Sequence, residues 1–149
     1  MKLSTKIRYG VRAMIDIGAH CSDRPVSLNE VSTRQKVSAK YLEAIMPALK
    51  AAELVRSMKG PGGGYMLTRE PGKITLFDIF TALDGPTCLV DCVDQPENCH
   101  LQSSCVSNDV WKDLSRLINS NLKSVTIGDL IDRQNQKKSK AREALIYNI

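Results

Sequence analysis

The chain has 149 residues, a formal net charge of +5, 42% hydrophobic residues and 25% charged residues. This length suits one domain, or a small domain with an appendage, and it can bury a core without disulfide bonds. No apolar run approaches the roughly 18 residues of a membrane span, and the first residues show no signal-peptide core. We therefore exclude membrane, collagenous, secreted and wholly disordered proteins, and expect a cytoplasmic chain without a membrane partner.

The charge is divided unevenly along the chain. Residues 1–84 carry a net charge of +5, residues 85–110 carry −4 with no Lys or Arg, and residues 111–149 carry +4. A basic segment favours nucleic acid because it neutralises phosphates and releases their counterions. The same excess of positive charge is also common in soluble proteins that bind no nucleic acid.

The first third of the chain predicts three helices. Apolar residues at helical spacing predict a first helix over residues 5–19. Ser27 with Glu30 forms a capping-box pattern for a second helix that ends near Gln35, and Ser38 caps a third. Two helices joined by such a short turn indicate a helix-turn-helix, a pattern that many small helical domains share.

A hairpin is predicted directly after these helices. Residues 54–58 alternate like a strand, residues 59–64 form a glycine-rich turn, and residues 65–67 return. A hairpin in this position is typical of the wing of a winged helix, with Lys59 at its tip. The alternative interpretation of the glycines as a nucleotide-binding loop fails because no helix and no Lys-Ser/Thr pair follow them.

The second half predicts a loop between helices. Thr75 with Asp78 caps a helix that ends at Gly85-Pro86, and residues 86–106 show neither helical nor strand periodicity, which is typical of a functional loop. A long amphipathic helix follows from about Ser107. Its apolar stripe comprises Val110, Leu114, Leu117, Ile118 and Leu122, with Trp111 beside it. We expect a second copy of the chain to cover this stripe, although folding back on its own domain is the alternative.

The C-terminal part predicts one more short helix and a tail. Thr126 and Asp129 cap a helix that we expect to end near Arg133. Residues 134–142 are polar and basic and are predicted to be a linker, whereas residues 143–149 are apolar enough to dock on another surface.

The acidic loop concentrates cysteines. It holds Cys88, Cys92, Cys99 and Cys105, with His100 beside the third of them. Thiols this dense in a reducing compartment indicate metal ligands or redox thiols. The close Cys-x2-Cys pairs of structural zinc sites are absent, whereas loop spacings of this kind suit an iron–sulfur cluster. Reduced, unliganded cysteines remain the alternative.

Several segments carry a family resemblance. They are MKLSTKIRYGVRAM at the start, VSAKYLEAI in the third helix, ELVRSMKGPGGGYML in the wing, the loop cysteines, and the VWKDL and TIGDLI segments, together spanning residues 1–133. The chain resembles the bacterial winged-helix repressors that include the iron–sulfur cluster regulator IscR, the nitric-oxide-sensing regulator NsrR and the cysteine-metabolism regulator CymR. It is most similar to the cluster-binding branch.

The resemblance implies two sets of site residues. The cluster thiolates are Cys92, Cys99 and Cys105, and the cluster is expected to be [2Fe–2S] in preference to [4Fe–4S]. The fourth ligand is left open among Cys88, His100, Asn108, Asp91, Asp94 and a residue of the other subunit, because Asn108 stands where the cluster regulator has histidine and Arg8 stands where the nitric oxide sensor has aspartate. The DNA-binding residues are Ser38, Lys40, Tyr41 and Glu43 of the recognition helix, and Ser57, Lys59 and Gly60 of the wing.

The expected fold is mainly α with a small β-hairpin. Its parts are a winged helix-turn-helix domain (1–84), a Cys-rich cluster-binding loop (85–106), a dimerisation helix with a short C-terminal helix (107–133) and a basic tail (134–149). We expect a homodimer that binds a roughly palindromic operator in double-stranded DNA under cluster control. The alternatives are a thiol- or zinc-based regulator on this fold, and a cluster-free regulator that acts through a partner enzyme. An enzyme is not expected, because His20 and His100 have no nucleophile or paired carboxylates in a catalytic pattern.

Overall fold

The computed structural model describes residues 2–86, 89–101 and 103–147. These residues form mainly helices and one two-stranded antiparallel sheet, so the expected fold class is confirmed. In chain order the elements are α1 (Thr5–His20), α2 (Leu28–Gln35), α3 (Ala39–Ala51), β1 (Val55–Met58), β2 (Gly64–Leu67), α4 (Leu76–Asp84), α5 (Asp91–Asp94), α6 (Val106–Ser124) and α7 (Ile127–Tyr147).

Side-chain caps start most of the helices, as their sequences predict. The Oγ atoms of Ser4 and Ser38 accept hydrogen bonds from backbone N–H groups in the first turns of α1 and α3. Full capping boxes form at the starts of α2, α4 and α7, in the pairs Ser27–Glu30, Thr75–Asp78 and Thr126–Asp129. Each box satisfies backbone donors that the first turn of a helix leaves without partners.

The core forms around α1, which packs against α2, α3, α4, α7 and β2. All of these elements and the segments between them contribute buried side chains, and the largest are Met14, Ile17, Leu42, Met46, Leu49, Leu54, Ile74, Ile79 and Ile127. Because α1 lies in the middle, the helix-turn-helix, the hairpin and the C-terminal helix are all held on a single element.

The hairpin is anchored at its base. Val55 pairs with Leu67 and Met58 pairs with Gly64. Val26, in the segment between α1 and α2, exchanges two backbone hydrogen bonds with Tyr65, of 2.8 and 2.9 Å. A Cβ at Gly64 would collide with the Val26 carbonyl, so glycine is needed for this close approach. The wing is therefore fixed relative to the helix-turn-helix.

The predicted loop contains short helical pieces. Within residues 89–101, the chain forms α5 and a 3-10 turn at Pro96–Asn98. Helices of three or four residues are too short to be predicted from hydrophobic periodicity, because the 3.6-residue repeat becomes visible only over several turns.

The apolar stripe of α6 divides into two halves. Its C-terminal half packs on the core through Ile118 and buried Leu122. Its N-terminal half remains exposed, with exposed fractions of 50% for Val110, 40% for Leu114 and 68% for Leu117. The apolar stripe thus packs on its own domain only over the C-terminal half of the helix.

The predicted end of the last helix is wrong. Helix α7 continues through residues 134–142 to Tyr147, instead of ending near Arg133 before a linker. This stretch contains Gln, Lys, Ala and Arg, which are good helix formers, and it contains neither glycine nor proline. The side chains of Leu145, Ile146 and Tyr147 are exposed, so the predicted docking of this end does not occur within the described chain.

Candidate nucleic-acid interface and cysteine site

The N-terminal half of α3 exposes polar side chains as a recognition helix requires. Lys40 and Glu43 are exposed and lie three residues apart, on one face of the helix. Ser38 is exposed at the N-cap, where its Oγ accepts the Tyr41 N–H at 3.1 Å. Its hydroxyl hydrogen stays available for an acceptor outside the protein.

Tyr41 has a packing role in addition to its predicted contact with DNA. Its ring meets the Tyr9 ring edge to face, with centroids 5.4 Å apart. The guanidinium groups of Arg8 and Arg12 lie 5.7 and 5.5 Å from the centroid of the Tyr9 ring. Aromatic and cation–π contacts therefore connect α3 with the exposed basic face of α1.

The wing presents a cation on a tight turn. Lys59 and Gly60 are exposed at the tip, and Gly60 takes a φ of 100° that favours glycine. The Gly63 N–H donates to the Gly60 carbonyl at 2.9 Å and closes the turn. Ser57 lies lower on β1, where its Oγ accepts a hydrogen bond of 2.9 Å from Lys50 Nζ. This bond joins the wing to the C-terminal turn of α3.

A buried ion pair that the sequence reasoning missed holds the helix-turn-helix in place. The Asp16 carboxylate on α1 is 2% exposed and accepts from Arg34 Nη2 at 2.6 Å and from Gln35 Nε2 at 2.8 Å. The bond to Asp16 also raises the pKa of Arg34. The available signal was an aspartate between the apolar residues Met14 and Ile17, because such a carboxylate needs a partner when buried.

The cysteine segment keeps its thiols free. Cys92, Cys99 and Cys105 are half-buried and form no disulfide. Among residues 2–86, 89–101 and 103–147, no three His, Cys, Asp or Glu side chains converge on a point where they could hold a metal ion. His100 and the two α5 aspartates, Asp91 and Asp94, are exposed, and Cys88 lies outside the described residues. The three predicted thiolates are therefore not brought together in this arrangement.

Asn108 connects this segment to α6. Its side chain is 1% exposed, and its Nδ2 donates to the Cys92 carbonyl at 3.3 Å and lies 3.6 Å from Cys92 Sγ. Its Oδ1 is buried and receives no hydrogen bond from the described residues. A buried acceptor without a donor carries an energetic cost, so an amide oxygen in this position is open to an external partner.

Cys105 occupies the N-cap of α6, three residues before Asn108. Its Sγ is 3.1 Å from Ser107 Oγ, and this hydrogen bond, with the Asn108 N–H, lowers the pKa of Cys105. A lowered pKa favours the thiolate, which is the form that binds iron. The types of donor atom present therefore suit an iron–sulfur cluster. They are free thiols, one of which is shifted toward the thiolate, and a buried amide oxygen.

None of the described helices is both long and apolar enough to cross a membrane. The longest of them, α6 and α7, carry charged residues throughout their length.

The comparisons with known proteins identify the family. A family model described as "Rrf2: Iron-dependent Transcriptional regulator" matches residues 3–133. The chain belongs to the Rrf2 family. The HTH-type transcriptional regulator IscR of Yersinia pseudotuberculosis is 37% identical over 134 residues, which cover 90% of this chain and 81% of that regulator. The expected winged helix-turn-helix regulator is thus confirmed, and so is the expectation that the chain is not an enzyme.

Solved structures of Rrf2-type regulators agree with this fold. The structure of CymR, the global cysteine regulator of B. subtilis, matches with a TM-score of 0.77 at 32% identity, covering 89% of this chain and 98% of that chain. The IscR structure of T. potens matches with a TM-score of 0.74 at 35% identity, covering 90% and 88%. This Rrf2 chain is therefore a DNA-binding transcriptional regulator, similar both to IscR and to CymR.

Proposed function

We propose that this Rrf2 chain is a cytoplasmic homodimer that binds a roughly palindromic operator, and that an iron–sulfur cluster controls the binding. The observation that carries the proposal is the buried Asn108 side chain, whose Oδ1 receives no hydrogen bond from the described residues and whose Nδ2 lies 3.6 Å from the free thiol of Cys92. A group bound there would act on the same helix that offers an apolar surface to a second copy.

The cluster would be held by Cys92, Cys99 and Cys105, with Cys88, His100 or Asn108 as the fourth ligand. A [2Fe–2S] cluster is preferred over [4Fe–4S]. Such a group supplies a redox state that can change, or be lost, in response to oxidants or nitric oxide. The chain itself supplies the thiolates, and drawing them together would order the segment before α6, biasing a two-state arrangement of the dimer.

The exposed half of the α6 stripe would form the dimer contact. Val110, Trp111 and Leu114 are adjacent on one side of the helix and 38–50% exposed. Apolar side chains in a continuous row at a helix surface indicate an interface, and a two-fold axis lets the same row meet itself. The two recognition helices would then enter successive major grooves about one helical turn apart.

The DNA contacts would come from α3 and the wing. Glu43 is exposed and can accept a hydrogen bond from a cytosine amino group, whereas Lys40 and Ser38 reach base edges or phosphates. Lys59, with Ser57 and Gly60, would reach the adjacent minor groove as a cation. Lysine supplies a point charge there in place of the planar fork of arginine.

Anaerobic purification tests the cluster. We expect coloured protein with iron and acid-labile sulfide, a signal that Cys92→Ala removes and that the control Cys21→Ala keeps. Cys21 lies at the C-cap of α1, outside the stretch from Cys92 to Cys105 that holds the proposed cluster thiols. Colourless protein that cannot be reconstituted would refute the cluster proposal.

Gel shifts with a selected operator test the recognition helix. Glu43→Ala should relax sequence preference at one base pair, at a cost of about 1–3 kcal/mol for the preferred sequence. Glu70→Ala, an exposed acid outside α3, is the matched control. An unchanged preference in Glu43→Ala would show that this helix does not read the bases.

A thiol-based regulator is the second candidate. The separated thiols and the similarity to the cysteine regulator CymR favour it. It predicts zinc or no metal in the isolated protein, and DNA binding that changes when Cys105 is oxidised or alkylated. Retained DNA binding with co-purification of a metabolic enzyme would instead support a cluster-free regulator acting through a partner.

A further inference from the structure

Helix α7 extends beyond the part of the chain that matches the family. The match ends at residue 133, whereas α7 continues to Tyr147. Residues 133–142 contain five basic residues and no acidic one, and nearly all of their side chains are exposed. Apart from Arg133, this basic extension therefore lies outside the segment that the family model matches.

Three of the basic residues share one face of the helix. Arg133, Lys137 and Lys140 follow at spacings of four and three residues, which places them in one row along α7. They line an open cleft of about 520 Å³ with Ile15 of α1 and Leu130. The two remaining bases, Lys138 and Arg142, point away, since each residue turns the helix by about 100°.

The cleft adjoins the basic face of α1. Ile15 shares its side of α1 with Arg12 and Arg8, which precede it by three and seven residues and are exposed. Arg12 donates hydrogen bonds to the backbone carbonyl and side chain of Gln35, at the end of α2. Exposed basic side chains therefore lie along this side of α1 and along the row on α7. The row begins one turn after Asp129, whose pKa is lowered by hydrogen bonds from Thr126 and, to a smaller extent, by the charge of Arg133.

We propose that Arg133, Lys137 and Lys140 bind the phosphate backbone of DNA that flanks the operator. The row is about 10 Å long, a length over which B-DNA carries roughly six phosphate charges. Each contact releases condensed counterions, so the row adds affinity that does not depend on sequence and falls steeply with salt. The contact would lengthen the DNA site beyond the base pairs that α3 and the wing read.

Charge complementarity favours DNA over the other possible occupants. A second copy of α7 would bring two rows of like charge together, which is unfavourable. An acidic protein would also be attracted to this row of positive charges, and it is therefore one of the outcomes of the test. DNA is favoured because the chain is a DNA-binding regulator, so this polyanion is already bound nearby.

The test compares two faces of one helix. The variant Lys137→Gln/Lys140→Gln removes two charges from the row, and Lys138→Gln/Arg142→Gln removes two charges from the opposite face. Fluorescence anisotropy would follow binding to the tightest duplex that the full-length protein selects from a random pool, with and without about 10 extra base pairs at each end. Salt would be varied between roughly 50 and 300 mM.

For the row variant on the extended duplex, we expect the slope of log K against log salt to fall by about 2, with affinity about tenfold weaker at low salt. The opposite-face variant should stay within about twofold of the unchanged protein. On the short duplex the row variant should behave like the unchanged protein.

Equal losses from both faces, or no loss from the row, would overturn the proposal. Normal DNA binding by the row variant together with loss of an acidic protein from a pull-down would overturn it in favour of that partner. The test is separate from the cluster and operator proposals, because cluster spectra and the effect of Glu43→Ala do not depend on α7.

Discussion

In the winged head, residues 2–84, the buried Asp16 carboxylate receives donors from Arg34 and Gln35, whereas at the start of α6 the buried Asn108 has an oxygen with no donor among the described residues. The head also buries most of its large apolar side chains, with Leu3 and Met58 as half-exposed exceptions, whereas α6 leaves half of its stripe exposed. Groups that one chain satisfies internally need no partner. The open groups around α6 are those that the proposed cluster and a second copy of the chain would cover.

The largest effect is expected from breaking the satisfied pair. Arg34→Met leaves the Asp16 carboxylate buried without its cation. Losing one partner of a buried pair costs about 3–5 kcal/mol, and the partial exposure of Arg34 places the expected loss near 3 kcal/mol. Urea unfolding would measure it.

The matched control for this change lies on α6. Arg116→Met also removes an arginine from a pair with an aspartate, but Asp113 is 65% exposed there. We expect a change below about 0.5 kcal/mol. If the two variants lose similar free energies of unfolding, the buried pair in the head is no more important for stability than the exposed pair on α6.

A charge in the exposed stripe should act on assembly and leave the fold intact. Leu114→Lys places an ammonium in the proposed dimer contact, and we expect the dimer dissociation constant to rise at least tenfold, about 1.4 kcal/mol. Analytical ultracentrifugation measures this directly. Ser120→Lys, at an exposed polar position on α6, is the control. If both variants change the dimer dissociation constant equally, or if neither changes it, the stripe is not the dimer contact.

The buried amide of Asn108 predicts an unusual effect of mutation on stability. Asn108→Leu replaces a buried amide, whose oxygen has no donor among the described residues, by an apolar group of similar size. We expect the stability of metal-free protein to stay equal or to rise by up to about 1 kcal/mol, whereas most buried substitutions lower it. Unfolding of the metal-free variant provides the measurement, and a loss above 1 kcal/mol would mean that the amide is satisfied in solution.

The smallest expected effect concerns the pKa of Glu30 and the stability of the head at low pH. Arg24, and the Ser27 N–H, lower the pKa of Glu30 to about 2. Because the folded pKa lies below the usual value of about 4.3, the stabilisation is present above that value and is lost as the pH falls through about 2. An NMR titration should place the Glu30 midpoint near 2, and Arg24→Gln should move it upward. A midpoint at the ordinary value in the unchanged protein would contradict this network.

Local signals predicted much of the molecule. Capping boxes, the 3.6-residue repeat and a glycine-rich turn each act within a few residues, so the first three helices, the hairpin and α4 could be placed from the sequence. The end of α7 was missed although its signal is local as well. The polar composition of residues 134–142 resembled a linker, but their helix propensity is high.

The sequence by itself determined the head and the proposed recognition surface, whose residues Lys40, Glu43 and Lys59 are exposed where capping and turn patterns place them. Only the tertiary structure decided which distant groups meet. It pairs Asp16 with Arg34, anchors β2 on Val26, buries Asn108 beside Cys92 and divides the stripe of α6. These contacts join residues far apart in the chain, and no local propensity encodes them, because they exist only once the helices have packed.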